Sequence, residues 1–144
     1  YTTIESRGPI PEDLREGHGD HVFGCDICQT VCPWNRSRPR HPLTDPLGLR
    51  SRLEKRDEWI SPTLEWILGL DQETFMAATR KTAIRRSGLA GLLRNALVAA
   101  GNSRDPLLAE SVERYVGNPD AVLSEHARWA LARIRSGNLS ANEP

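Results

Sequence analysis

All three cysteines of this chain fall within eight residues, in the run Gly24-Cys25-Asp26-Ile27-Cys28-Gln29-Thr30-Val31-Cys32-Pro33. The pair Cys25 and Cys28, two residues apart, lets two thiolates converge from one tight loop whose backbone N–H groups also point at the sulfurs. Pro33 turns the chain away after the third. An odd count and separations this short argue against a disulfide framework.

The spacing C-x2-C-x3-C-P matches the last three cysteines of the ferredoxin run C-x2-C-x2-C-x3-C-P. Val22 stands where the first cysteine of that run would fall. In two-cluster ferredoxins the cysteine before the proline ligates the other cluster. By that rule Cys25 and Cys28 hold one [4Fe–4S] cluster and Cys32 reaches a second. Neither is complete within 144 residues, so the opposite wall of the site is expected upstream. Two other readings stay open. One is a zinc site from the three cysteines with His21 or His18, since Cys3His is a common structural set, although zinc ligands usually come as two separated pairs. The other is three reduced thiols and no metal.

The chain is electrically neutral overall and 38% hydrophobic, which permits a modest core. It has no apolar run near the ~18 residues that would span a membrane and no signal-peptide pattern. A cytoplasmic location and a monomer without a membrane partner are expected. It begins at Tyr1 without an initiator methionine, and is read as the C-terminal part of a longer protein.

The fold class expected is mainly α: a ferredoxin-like iron–sulfur segment followed by a short HEAT-like helical repeat domain. Residues 1–36 carry the cysteine run, 37–58 form a linker, 59–137 the helices and 138–144 a disordered tail. In the first part Pro11 suits the opening position of a short helix, and Glu12 and Asp13 favour its first turn through the helix dipole. Gly17 and Gly19 then break the chain, and Tyr1 to Ile4 is the only plausible extended piece. In the linker the arginines at 36, 38 and 40 could meet phosphate or solvent. Ser61-Pro62 reads as an N-cap and first position, ahead of Leu64, Ile67 and Leu68. Asp71 caps a helix holding Phe75 and Met76. Leu89, Leu92, Leu93, Ala96, Leu97 and Ala100 form an amphipathic stripe that Gly101-Asn102 stops. Asp105-Pro106 opens the next helix, with Leu108, Val112, Tyr115 and Val116 on its apolar side, and Gly117-Asn118-Pro119 closes it. The last carries Leu123, Ala127, Ala130, Leu131 and Ile134, followed by Gly137. Arg94 to Ala100 and Arg128 to Ile134 are related at a period of 34 residues, which suggests paired helices of HEAT type. A plain bundle explains the same pattern.

Between Glu73 and Asp105 there is no acidic residue, while Arg80, Lys81, Arg85, Arg86, Arg94 and Arg104 lie inside the span. A one-sided cluster of this kind is the footprint of a site for a polyanion such as RNA or DNA. An ordinary solvated helix face, with Arg94 and Arg128 bonded internally, has the same signature. His18, His21, His41 and His126 have no Ser, Cys or carboxylate at a telling spacing. No phosphate-binding glycine loop or nucleophile elbow is present.

Tyr1 to Glu12, Phe23 to Asn35, Ile84-Arg85-Arg86, Leu92 to Ala96 and Gly101-Asn102 together resemble the epoxyqueuosine reductases. That resemblance is strong over 1–35, patchy over 36–80 and moderate over 81–136. It implies reduction of an epoxide to queuosine at the wobble position of tRNA, with a cobalamin, two [4Fe–4S] clusters and an external electron donor. It implies that Cys25, Cys28 and Cys32 are cluster ligands, and that five further cysteines, the cobalamin region and the acidic proton donor lie upstream. Trp34 would pack beside a cluster. Arg80, Lys81, Arg85 and Arg86 would hold the phosphates of the tRNA anticodon arm. The rivals are a generic two-cluster electron-transfer module and a zinc-stabilised HEAT-like scaffold.

Overall fold

The computed structural model describes residues 1–37, 46–49 and 57–140. Its contacts fall into two compact units, Tyr1–Gly24 with Thr63 onward, and Cys25–Pro62. No strand is present among the described residues. No helix there is long and apolar enough to cross a membrane.

The first unit contains α1 (Glu12–Arg15), α4 (Leu64–Leu68), α5 (Gln72–Ala78), α6 (Gly88–Ser103), α7 (Ala109–Glu113) and α8 (Ala121–Ser140), with 3₁₀ turns at Ala83–Ser87 and Pro106–Leu108. The second contains α2 (Ile27–Val31), α3 (Pro33–Ser37) and a 3₁₀ turn at Asp57–Trp59.

The core lies where α6 packs on α8, with α4 against α6. Leu92, Ala96, Leu97, Ala100, Ala127, Ala130 and Ile134 are all buried there. Gly101 is what lets the two long helices touch. A Cβ at that position would sit 2.5 Å from the Trp129 ring and 2.9 Å from the Ala130 Cα. The glycine therefore serves close approach and does not end the helix. The stop comes at Arg104, which caps α6 in the left-handed conformation at φ 55°. Gly137 likewise lies inside α8, and an added Cβ would meet Arg104 at 3.1 Å.

Local signals set the helix starts. Asp71 and Thr74 form a reciprocal capping box at α5, which satisfies two otherwise unpaired backbone donors. The α4 cap is Thr63, whose hydroxyl accepts from the Trp66 N–H at 3.1 Å. Ser61 and Pro62 lie before it, so the start falls two residues later than Ser61-Pro62 suggested. Pro11 is the residue preceding α1 rather than its first position. Asp105 accepts from the Leu107 N–H at 2.9 Å and opens a 3₁₀ turn that passes into α7.

Residues 1–4 are not extended. The N–H groups of Ile4, Glu5 and Ser6 all donate to the Tyr1 carbonyl, making a coiled turn. This turn is fixed by α6. Arg94, 1% exposed, donates to the carbonyls of Thr2, Ser6 and Gly8 and to Asn95 Oδ1. Asn95 Nδ2 donates to the Thr3 and Val22 carbonyls, both at 2.8 Å. Asn102 Nδ2 donates to those of Arg15 and Gly19 at 2.7 and 2.8 Å. Packing consequently divides the chain differently from composition: residues 1–24 join the helices, and the boundary falls at Cys25 rather than at 36. Most of the linker, residues 38–45 and 50–56, lies outside the described residues, and so do Arg38, Arg40 and His41. Helical backbone continues through residues 138–140, where a disordered tail was expected; residues 141–144 lie outside the described set.

Candidate functional site

The cysteine run is built on two short helices. Gly24 takes a left-handed φ of 72°, available to glycine without a Cβ clash. Cys25 follows in a loop, Cys28 rides on α2, and Cys32 ends α2 in extended backbone at φ −65°, ψ 119°. Pro33 then opens α3, a position where its missing N–H costs nothing. Asn35 ties the two helices together, with Nδ2 donating to the Gln29 carbonyl at 3.0 Å and to Gln29 Oε1 at 2.8 Å. Thr30 Oγ1 donates to the Asp26 carbonyl at 3.1 Å.

All three cysteines are free thiols, Cys25 and Cys28 exposed and Cys32 half-buried. Ile27, Val31 and Trp34 also face outward, Trp34 being 79% exposed. Soft thiolates on a short loop, unspent on disulfides, are the donor set of an iron–sulfur cluster, and also one that zinc accepts. Among the described residues no three His, Cys, Asp or Glu side chains gather around one metal position. His18, one candidate fourth ligand, is 8% exposed within the first unit. Its ring nitrogens have no hydrogen-bond partner among the described residues. Burial, then His21 and Arg94, hold its pKa below the ordinary value.

The second candidate surface is the connection between α5 and α6. Arg80, Lys81, Arg85 and Arg86 all lie on it and all are exposed. Lys81 turns the chain at φ 59°. Arg86 pairs with Glu5 at 2.7 Å. Arg85 and Lys81 make no ion pair among the described residues. Arg94 leaves the basic set altogether, because its charge is spent inside on backbone carbonyls. Burial, then Arg7, lower its pKa from the usual arginine value. Sequence reading took Asn102 only as part of a helix stop and gave Arg7 and Asn95 no role of their own. Asn95 and Asn102 interrupt an apolar helix seven residues apart, and such polar interruptions were the available signal. Arg7 gave none.

His126 is buried as well. Its Nδ1–H donates to the Val122 carbonyl at 2.7 Å, and Nε2 accepts the Ile10 N–H at 3.1 Å. Both nitrogens are occupied by backbone, so it is structural.

Free thiols on a short loop and helix, in a chain that also has an all-helical unit with a basic connection, make this a candidate metal–thiolate protein with a helical extension. Residues 1–35 match the family described as a 4Fe-4S double cluster binding domain. The chain is 40% identical over 136 residues to epoxyqueuosine reductase of Xanthomonas campestris pv. campestris, an alignment covering 92% of this chain and 36% of that protein. It is 37% identical over 134 residues to that of Escherichia coli, covering 92% and 33%. Two solved structures share its fold: epoxyqueuosine reductase with a tRNA-Tyr epoxyqueuosine-modified stem loop (TM-score 0.76, 26% identity, 90% of this chain and 33% of that one) and epoxyqueuosine reductase from Streptococcus thermophilus (TM-score 0.75, 26% identity, 97% and 36%). By sequence and by fold this chain is related to the epoxyqueuosine reductases. It spans about a third of the length of the relatives it matches.

Proposed function

We propose that this chain is the C-terminal part of an epoxyqueuosine reductase, contributing three cluster ligands and a tRNA-binding surface to an enzyme that converts epoxyqueuosine to queuosine in tRNA. The observation that carries this is the similarity along 92% of the chain, which includes three free thiols at residues 25–32 inside the cluster-binding match. Cys25 and Cys28 belong to one [4Fe–4S] cluster and Cys32 to the other, with the remaining ligands and the cobalamin held by other parts of the protein. When bound, the clusters supply one-electron transfer from an external donor and cobalamin supplies the reducing metal. In this reading the chain holds the thiolates, and the exposed Trp34 would cover the cluster from water once it is bound.

Arg80, Lys81, Arg85 and Arg86 contact the phosphates of the anticodon arm. Arginine suits that task because its planar fork makes paired bonds to phosphate. Support for a HEAT-like stacking comes from α6 and α8. Gly101 meets Trp129 and Ala130, and further on Arg104 meets Gly137, so contacts advance in the same direction along both helices, as in stacked repeats. In this reading the protein is a cytoplasmic monomer acting on tRNA.

The test is iron, sulfide, zinc and cobalt content of the native-length protein, purified without oxygen and supplied with cobalamin. About eight irons with one cobalt are expected. Zinc without iron would overturn the cluster assignment and leave a helical scaffold. Reversing the charge of two of the four basic residues should weaken tRNA binding and flatten its salt dependence.

A further inference from the structure

A half-open cavity of about 490 Å³ lies beside the basic connection, between α5 and the first turn of α6. That volume is in the range of small-ligand pockets, roughly 300–1,000 Å³. Its walls are apolar where Phe75, Met76 and Leu89 line it, and cationic where Arg7 and Arg85 do. Arg7 is held at the cavity: Nη1 donates to the Ser87 carbonyl and Nη2 to the Arg86 carbonyl at 2.7 Å. Gly88 makes the turn above it at φ 69°, with Arg7 Nη1 3.7 Å from where a Cβ would stand. Among the described residues no carboxylate lines the cavity, and the nearby Glu5 is engaged by Arg86.

Apolar walls beside cations fit a molecule that is apolar on one side and anionic on the other. A nucleotide is such a molecule. RNA loops present unpaired bases that stack on aromatic side chains and guanidinium planes. We infer that this cavity receives one unstacked nucleobase of the bound RNA loop, with Arg85 on its phosphate and Arg7 as a stacking surface. The inference rests on the tRNA reading above and adds a subsite to it.

Ala90 lines the cavity and is exposed on α6, so Ala90→Trp fills it from a surface helix position. The experiment uses the full-length, cluster-loaded protein and a synthetic anticodon stem-loop RNA. The filled variant should bind the stem-loop about tenfold more weakly with an unchanged salt slope, and bind blunt duplex RNA as the parent does. Arg85→Gln should weaken both RNAs and lower the salt slope by about one. A 2-aminopurine placed at each loop position in turn should report stacking at one position, lost in Ala90→Trp. Met76→Glu, which puts a carboxylate at the cavity without filling it, is the second variant should Ala90→Trp unfold. If the cavity variants bind the stem-loop like the parent while Arg85→Gln weakens it, the subsite is overturned and the tRNA surface stands. If neither cavity nor charge variants alter RNA binding, both are overturned.

Discussion

Arg94 brings a full charge into the interior, meets no carboxylate among the described residues, and spends its charge on three peptide carbonyls and an amide. Arg94→Met should cost about 3 kcal/mol or more, since the carbonyls of Thr2, Ser6 and Gly8 would lose their shared donor in a desolvated place. Denaturant midpoints measure this, and amide exchange over residues 1–24 should rise. His126 makes a different prediction. Burial holds both His126 and His18 below the ordinary histidine pKa of 6.5. Above that value both states are neutral and stability is full. As pH falls below it the unfolded chain takes up protons that the folded one refuses, so stability declines toward the lowered folded pKa. Melting temperature against pH should show the acid limb, and His126→Gln should flatten it, leaving the part due to His18. The carbonyls that hold Arg94 could not be read from the sequence, because those three acceptors are backbone atoms 86 to 92 residues away. The cysteines could be read, because their chemistry is local.

At the scale of elements, what sequence announces best is a start. The α5 cap at Asp71 involves four consecutive residues and was legible. Stops were less so, since glycine has two uses that look identical in a string. Gly101 was expected to end α6, yet it occupies a helix–helix contact. Gly101→Ala should push α6 from α8 and cost about 1–3 kcal/mol, seen as a lower melting temperature. The two arginines over the Trp129 ring, Arg15 at 5.5 Å and Arg133 at 5.1 Å, belong to the same contact and are equally invisible in sequence. The basic residues were legible as a set, and the structure separates them: four on one exposed connection, Arg94 inside.

For the whole molecule, the division of ligands between clusters can be tested directly. Cys25→Ser and Cys28→Ser should disturb one reduced-state paramagnetic signal and Cys32→Ser the other, each lowering iron from about eight toward about four. Identical spectra for all three variants would refute the division. The broad architecture was legible because long apolar periods report helices faithfully. The membership of residues 1–24 was not, because composition does not reveal what a segment packs upon. The Arg94–Asn95 clamp also sets an order of events. Its bonds close across nearly two-thirds of the chain, and such non-local contacts form late. The stretch leading into Cys25 is synthesised before α6, so the bonds that fix it cannot close until α6 has followed.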